Sequence, residues 1–421
     1  MQLCPDNEAD SFALSRGTVM LRDMIGLSEP NNNPGPQGDR ILALDPGFEV
    51  ARQHLSALCD LAVDGLAEMY QRDLHFPHTM RSVENFNGSG TRPEGDNLRY
   101  TINVAQGLAW TPETVQRQVL DGHSAIDLAL SCIARAARSG EPGAVALAAW
   151  AAAETANVFA GELFGMLETL LAAPDPVETV PCAWALSAAL AGRRLGDTER
   201  VQWLAARRLL DAQAPSGLFP HTVPNDHAGW ERAHVGSFAD QIYPIQAFAR
   251  LGYADRNPAA MAAAEACAAR IVALQGKEGQ WWWHYDTRTG QVVEGYPVYS
   301  VHQHAMAPMG LLDLQEAGGT DYRAALIKGL GWLEQRPESR KPVISPSDCM
   351  IWRKIGRQEP AKLVRKLSAL TTALVPGWRL PGLDLLFPTG KIDRECRPYE
   401  FGWLLYGWRS RGVVRRLRPE L

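Results

Sequence analysis

Six of the ten histidines, at positions 221, 227, 234, 284, 302 and 304, fall in one window of the chain. The same window holds Trp230, Tyr243, Trp281, Trp282, Trp283, Tyr285, Tyr296 and Tyr299, together with Asp226, Glu231, Asp240, Asp286 and Glu294. Imidazoles, phenols and carboxylates exchange protons under physiological conditions. Indole faces stack on the C–H faces of sugar rings, whose hydroxyls bond to acids and imidazoles. The chemistry this mixture suits is acid–base work on a carbohydrate.

The densest segment is Tyr296 to His304. Pro297 disfavours a helix at Tyr296. Ser300 is a good N-cap, so the pattern predicts a helix from there through Leu314 despite Pro308. His302 and His304 then occupy its first turns, near a loop mouth. One of them would act as general base or acid with Tyr299 as its proton partner. The alternative is a pair of satisfied structural histidines near a helix start. A metal site is a weaker reading, because residues two apart on a helix face different directions.

His221 follows Phe219-Pro220, and Asp240 comes 19 residues later at the start of the next apolar helix. Both are acid–base candidates. Asp240, Asp286 and Glu294 are the carboxylates from which a glycosidase pair, ~5 to 10 Å apart, would be drawn. The candidate catalytic set is therefore His302, Tyr299, Asp240, His221 and His304. Trp282, Trp283, Asp286, Glu294 and Tyr296 are candidates to bind the sugar. If the tryptophan run is extended, Trp282 and His284 share one face, and Trp283 and Tyr285 the other. Asp286 is either a rim carboxylate or a turn former before Thr287-Arg288-Thr289-Gly290.

A polar loop from Arg72 to Asn97 contains His75, His78, Arg81, Glu84 and Asn85, with Gly88-Ser89-Gly90 as a flexible point. Arg99 and Tyr100 open the helix that follows. An arginine there would grip the carboxylate of an acidic sugar as a fork.

These residues need a scaffold, and the spacing of apolar residues supplies it. Helical periodicity starts near Phe48 and returns at 98–109, 125–137, 145–153, 159–171, 183–191 and 201–212. Alanine dominates this stretch and allows close helix approach. Gln213, Gly217, Phe219 and Gln241 recur 62 residues later as Gln275, Gly279, Trp281 and Gln303. Lys328-Gly329-Leu330-Gly331-Trp332-Leu333-Glu334-Gln335 is a partial third copy. A fixed period of this length marks stacked helical hairpins. Residues 48–408 leave room for five or six.

The pattern Gln-x-x-x-Gly-x-aromatic, with Lys-Gly-x-x-Trp-Leu in another copy, resembles the repeat of squalene cyclases and protein prenyltransferases. The resemblance implies an all-α fold, an α/α toroid with inner and outer rings of helices. It leaves function open, because one fold hosts many chemistries. The Asp-x-Asp-Asp acid motif of the terpene cyclases is absent; Asp175-Pro176-Val177-Glu178 does not match it. The zinc ligands of prenyltransferases cannot be placed either, and Asp348-Cys349 lies outside the repeats. The segment Tyr296 to Met309 also resembles uncharacterised bacterial proteins of polysaccharide-biosynthesis clusters.

Composition narrows the classes. Lysine and arginine total 42 against 47 aspartates and glutamates, a formal charge of −5. This argues against nucleic acid as a partner. No apolar run is long enough to span a membrane. The first residues lack a signal-peptide pattern, and the seven cysteines are scattered, so a reducing cytoplasmic setting is expected. Residues 1–46, with Asn31-Asn32-Asn33-Pro34-Gly35-Pro36, read as a tail before a single domain over 47–421. Arg409, Arg411, Arg415, Arg416 and Arg418 form a basic C-terminus, expected as a solvated helix end or a peripheral contact. The leading expectation is a cofactor-free enzyme acting on a small-molecule or oligosaccharide substrate, by hydrolysis, elimination or epimerisation. The alternatives are a terpene- or prenyl-handling enzyme and a non-catalytic binding toroid.

Overall fold

Apolar stripes with helical spacing become helices that alternate between two concentric layers. The computed structural model describes residues 39–418 apart from 86–87, 226–228, 336–337 and 361. In chain order the helices are α1 (Glu49–Met69), α2 (Leu98–Leu108), α3 (Glu113–Val119), α4 (Ala125–Ser139), α5 (Pro142–Glu154), α6 (Gly161–Ala172), α7 (Thr179–Gly192) and α8 (Glu199–Ala212). They continue with α9 (Phe238–Ala254), α10 (Pro258–Ala273), α11 (Ala307–Glu316), α12 (Arg323–Gln335), α13 (Leu363–Leu374), α14 (Leu383–Leu386) and α15 (Pro398–Arg409).

Helices α2, α5, α7, α9, α11 and α15 pack in a closed ring, with α15 returning to α2. Helices α1, α4, α6, α8, α10 and α12 each precede an inner helix and lie outside it. This is an α/α toroid of six helical hairpins. Burial follows from the layering. Inner helices α5 and α7 are buried on nearly every side and have no polar face. Outer helix α4 buries only Ala125, Leu128, Ala129, Cys132 and Ala136, the spacing of one apolar stripe.

The 62-residue repeat is a repeated hydrogen-bond set. Gln213 Nε2 donates to the carbonyls of Gly217 and Ala263, both at 2.9 Å. Gln275 Nε2 donates to Gly279 and Ala325 at 3.0 and 2.9 Å. Gln241 Oε1 accepts from the Phe219 N–H, and Gln303 Oε1 from that of Trp281. Gly217 and Gly279 take φ of +87° and +99°, a region that favours glycine.

The helix expected from Ser300 is present, and its first turns are a π-helical segment, His302–Met306, running into α11. Ser300 does not cap it; its hydroxyl donates to the carbonyl of Arg353 at 2.9 Å. Pro308 has no N–H, so the carbonyl of His304 lacks its helical donor. The indole N–H of Trp408 fills that role at 2.8 Å.

Inner helices run parallel, so their N-termini share one end of the ring. The connections that lead into them carry the strands and, in the last one, α13 and α14. At the opposite end the axis is closed by charge. Arg250 is fully buried and bonds to Asp313 at 2.7 Å, Glu154 at 2.9 Å and Tyr406 at 2.5 Å.

Two expectations need adjustment. The expected tail extends to residue 46, but packing begins earlier. Arg40 pairs with Asp313 at 2.6 Å, and Ile41 and Leu44 are buried. Positions 1–38 of that tail, Cys4 among them, lie outside the described residues. The polar stretch 72–97 is not a loop throughout. Thr79–Asn85 and Gly88–Glu94 form an antiparallel hairpin, paired further to Glu395–Cys396.

Cys59, Cys132, Cys182, Cys267, Cys349 and Cys396 are free thiols. Among the described residues no helix is long and apolar enough to cross a membrane.

Candidate functional site

Backbone pairing brings two distant segments together at the inner-helix N-termini. Strand Lys354–Arg357 pairs with Val298–Tyr299 on one side and Thr389–Asp393 on the other. The Arg353 N–H donates to the carbonyl of Glu395 at 2.8 Å, and the Ser300 N–H to that of Arg353 at 3.0 Å. This lattice sets the Arg353 guanidinium 5.2 Å and the Lys354 ammonium 5.6 Å from the Tyr299 ring centre.

Strand Glu395–Cys396 leads into α15, with Arg397 immediately before the helix and Tyr399 and Glu400 in its first turn. Arg397 donates to the Tyr100 hydroxyl at 2.7 Å. Tyr100 packs between His78 and Tyr399, with ring centres 5.3 and 4.6 Å away. Asn97 caps α2 by accepting the Tyr100 N–H, and its amide donates to Nδ1 of His78 at 3.1 Å. Glu395 lies between the cations, 3.4 Å from Arg353 and 3.6 Å from Arg397.

Glu400 is fully buried, and neither carboxylate oxygen has a hydrogen-bond partner. Burial pushes its pKa up to about 8, against the pull of nearby Arg353 and Arg397. A carboxyl kept neutral in this way holds a proton at pH 7 that it can give away.

An aromatic wall flanks the cations. His302 stacks on Phe238 at 4.4 Å and lies parallel to Trp283 at 5.8 Å, with Tyr299 5.1 Å away. Burial pulls the His302 pKa down to about 3, so its imidazole is neutral. Its Nδ1 has no partner. Burial likewise raises the Tyr299 phenol above its usual value, so it too is neutral.

Helix α13 adds Arg365, whose guanidinium is destabilised first by burial and then by Arg232. Arg365 in turn is the main reason that Lys362 is depressed. The Nε atoms of Arg353, Arg365 and Arg397 are buried without partners. Cations crowded together with spare donors form a site for an anion.

Of the candidates from sequence, Tyr299, His302, Trp283 and Tyr100 meet in this cluster. His221 and Asp240 pair at 3.1 Å at the start of α9. The Asp240 carboxylate is also engaged by the N–H and hydroxyl of Ser237, at 2.7 and 2.8 Å, in a capping box.

Other candidates lie apart from the cluster or are engaged elsewhere. His304 is fully buried, and neither ring nitrogen has a partner. Asp286 is bound to Arg288 at 3.0 Å and caps its turn. Glu294 is buried on Arg357 at 3.0 Å. Trp282 donates to the Leu274 carbonyl and packs edge-on to Tyr296, whose hydroxyl bonds to Glu338. Arg99 lies 3.6 Å from Glu141 at the rim. The strand assigned there begins at His284, and the Trp283 and His284 rings lie 5.1 Å apart rather than on opposite faces. Among the described residues no group of three potential metal ligands gathers.

Arg353, Lys354, Arg365, Arg397, Tyr399 and Glu400 did not emerge from spacing. One signal was available for Glu400. It is the sole acid at the head of an otherwise apolar run, Phe401 to Trp408.

No family model matches the sequence, and no curated protein is detectably similar. Solved structures share the fold. The unsaturated glucuronyl hydrolase of Bacillus sp. GL1 superposes with a TM-score of 0.52 at 14% identity, covering 86% of this chain and 97% of that one. The enzyme of the same name from Streptococcus agalactiae gives 0.51 at 12% identity, covering 93% and 97%. A possible member of the GH105 family from Salmonella enterica gives 0.51 at 13% identity, covering 93% and 99%. At this identity the likeness concerns architecture alone, and it agrees with the description of the chain as an α/α toroid.

Proposed function

We propose that this chain is a carbohydrate-active hydrolase that takes an anionic oligosaccharide, of uronic-acid type, at the strand-bearing end of the toroid. The observation that carries the reading is Glu400, neutral and unpartnered, within electrostatic reach of Arg353 and Arg397. The arginines would hold a sugar carboxylate, and the Trp283 and Tyr299 rings would pack on its apolar face. Glu400 would protonate the bridging oxygen. The C–O bond then breaks with its electron pair on the leaving hydroxyl, and water adds to the carbon left behind. The proton that water releases restores Glu400. The solved structures named unsaturated glucuronyl hydrolase, which share the fold, support this substrate class.

The charged rim counts against a terpene-handling enzyme, whose intermediates call for an apolar chamber. Calorimetry with uronate-containing oligosaccharides, followed by product analysis, tests the reading. Wild type is expected to bind and turn over, with Glu400→Gln binding normally and losing about 100- to 10,000-fold in rate. Binding with no turnover in wild type would identify a non-catalytic toroid instead. No binding of any anionic glycan would sink the proposal.

A further inference from the structure

Helix α13 buries Val364, Ser368, Ala369 and Thr372 and yet exposes further apolar side chains. Its inward side is partly polar: the Thr372 hydroxyl bonds to Nε2 of His234 at 2.8 Å, and Ser368 reaches Glu294. Its outward stripe reads Lys362, Lys366, Leu370 and Leu374, four residues apart, all exposed. Leu374 is 65% exposed. The apolar surface continues through Val375, Trp378 and Leu380 to Leu385 and Leu386, which are 89% and 72% exposed. Large apolar side chains gathered this way mark an interaction surface.

The stretch is held open by specific contacts. Asp384 is bound by Arg357 at 2.7 Å, and the same arginine donates to the carbonyl of Phe387 at 3.1 Å. Leu385 and Leu386 therefore project from an anchored turn. The free charges at the border are positive. Among the described residues Lys362 and Lys366 form no ion pair and Arg379 lies 3.9 Å from Glu294, whereas the acids there are engaged, Asp384 by Arg357 and Glu359 by the Val364 N–H.

We propose that residues 362–386 dock this chain on an anionic lipid bilayer. Leucines and a tryptophan enter the headgroup boundary, while the lysines and Arg379 meet anionic headgroups. A second copy of the chain is the poorer occupant. Pairing the face with itself would offer the lysines no acid that is not already engaged, whereas an anionic bilayer matches both the apolar and the charged parts. Arg365 lies on the same helix and faces Tyr299 and His284. Docking would thus put the mouth of the toroid beside the membrane surface. The docking itself does not depend on the reaction proposed above.

Full-length protein is mixed with vesicles of phosphatidylcholine alone or with added phosphatidylglycerol, and bound protein is measured by flotation. Binding is expected only with phosphatidylglycerol and is expected to weaken with salt. Changing Lys362→Gln and Lys366→Gln together should reduce it about 30-fold. Changing Leu374→Ser, Leu385→Ser and Leu386→Ser together should abolish it with an unchanged melting temperature. If the leucine variant does not fold, the lysine variant decides. Equal binding to both vesicle types, no binding at all, or unaltered binding by the lysine variant overturns the proposal. So does a wild-type dimer that the leucine variant splits while vesicles are ignored.

Discussion

Nδ1 of His221 lies 3.1 Å from a carboxylate oxygen of Asp240, the same oxygen that closes the capping box of α9. The hydrogen bond to Asp240, and then its charge, raise the His221 pKa above the ordinary 6.5. The protonated imidazole is therefore the form the fold favours. Its contribution to stability is fully present below 6.5 and is lost as the pH rises through the raised value. Because the ring is half exposed, the effect is small. Proton NMR titration should place His221 above a free histidine, and Asp240→Asn should bring it down. A His221 titration that Asp240→Asn leaves in place would contradict this coupling.

Glu400 has the opposite sign of effect. Its folded value of about 8 lies above the ordinary 4.5, because burial favours the neutral acid. The native state thus binds the proton more tightly than the unfolded chain does. Stability should fall as pH rises from ~4.5 to about 8, then level off. Glu400→Gln should flatten that slope and be more stable than wild type at pH 8. Denaturation curves from pH 5 to 9 measure it.

The repeat glycines should not tolerate a side chain equally. A Cβ on Gly279 would lie 2.1 Å from the backbone oxygen of Lys328, whereas one on Gly217 would lie 2.9 Å from that of Ala266. Both residues have positive φ, so alanine is strained at each. Gly279→Ala is expected to cost about 2 kcal/mol or more, and Gly217→Ala less. Urea unfolding of the two variants gives the order.

Trp408 anchors the break in the inner ring. Trp408→Phe keeps most of the ring volume but removes the donor to the His304 carbonyl. The buried carbonyl is then unpaired, at an expected cost of about 1 to 3 kcal/mol. Equilibrium unfolding tests this, and a change near zero would show that the indole bond is dispensable.

The architecture was legible from residue types and spacing. Gln213 and Gln275, with their glycines four residues on, encode turn contacts that depend on local chain geometry. Their 62-residue return announces stacked hairpins before any coordinate is known. Tyr299, His302 and Trp283 were visible for a different reason, since they stand in the window that gathers six of the ten histidines.

Tertiary structure alone decided the chemistry around them. Arg353 and Lys354 reach Tyr299 through strand pairing across more than fifty positions of chain, in a stretch with no helical period to place it. Glu400 became a proton-holding acid because packing stripped its carboxylate of water and partners. The same burial neutralised His302. Desolvation and electrostatic fields sum over neighbours in space, so sequence spacing does not carry them. The sequence by itself determined the repeating scaffold and the end of it that bears polar loops. Only the fold determined which of those polar groups are neutral, which are charged, and which face one another.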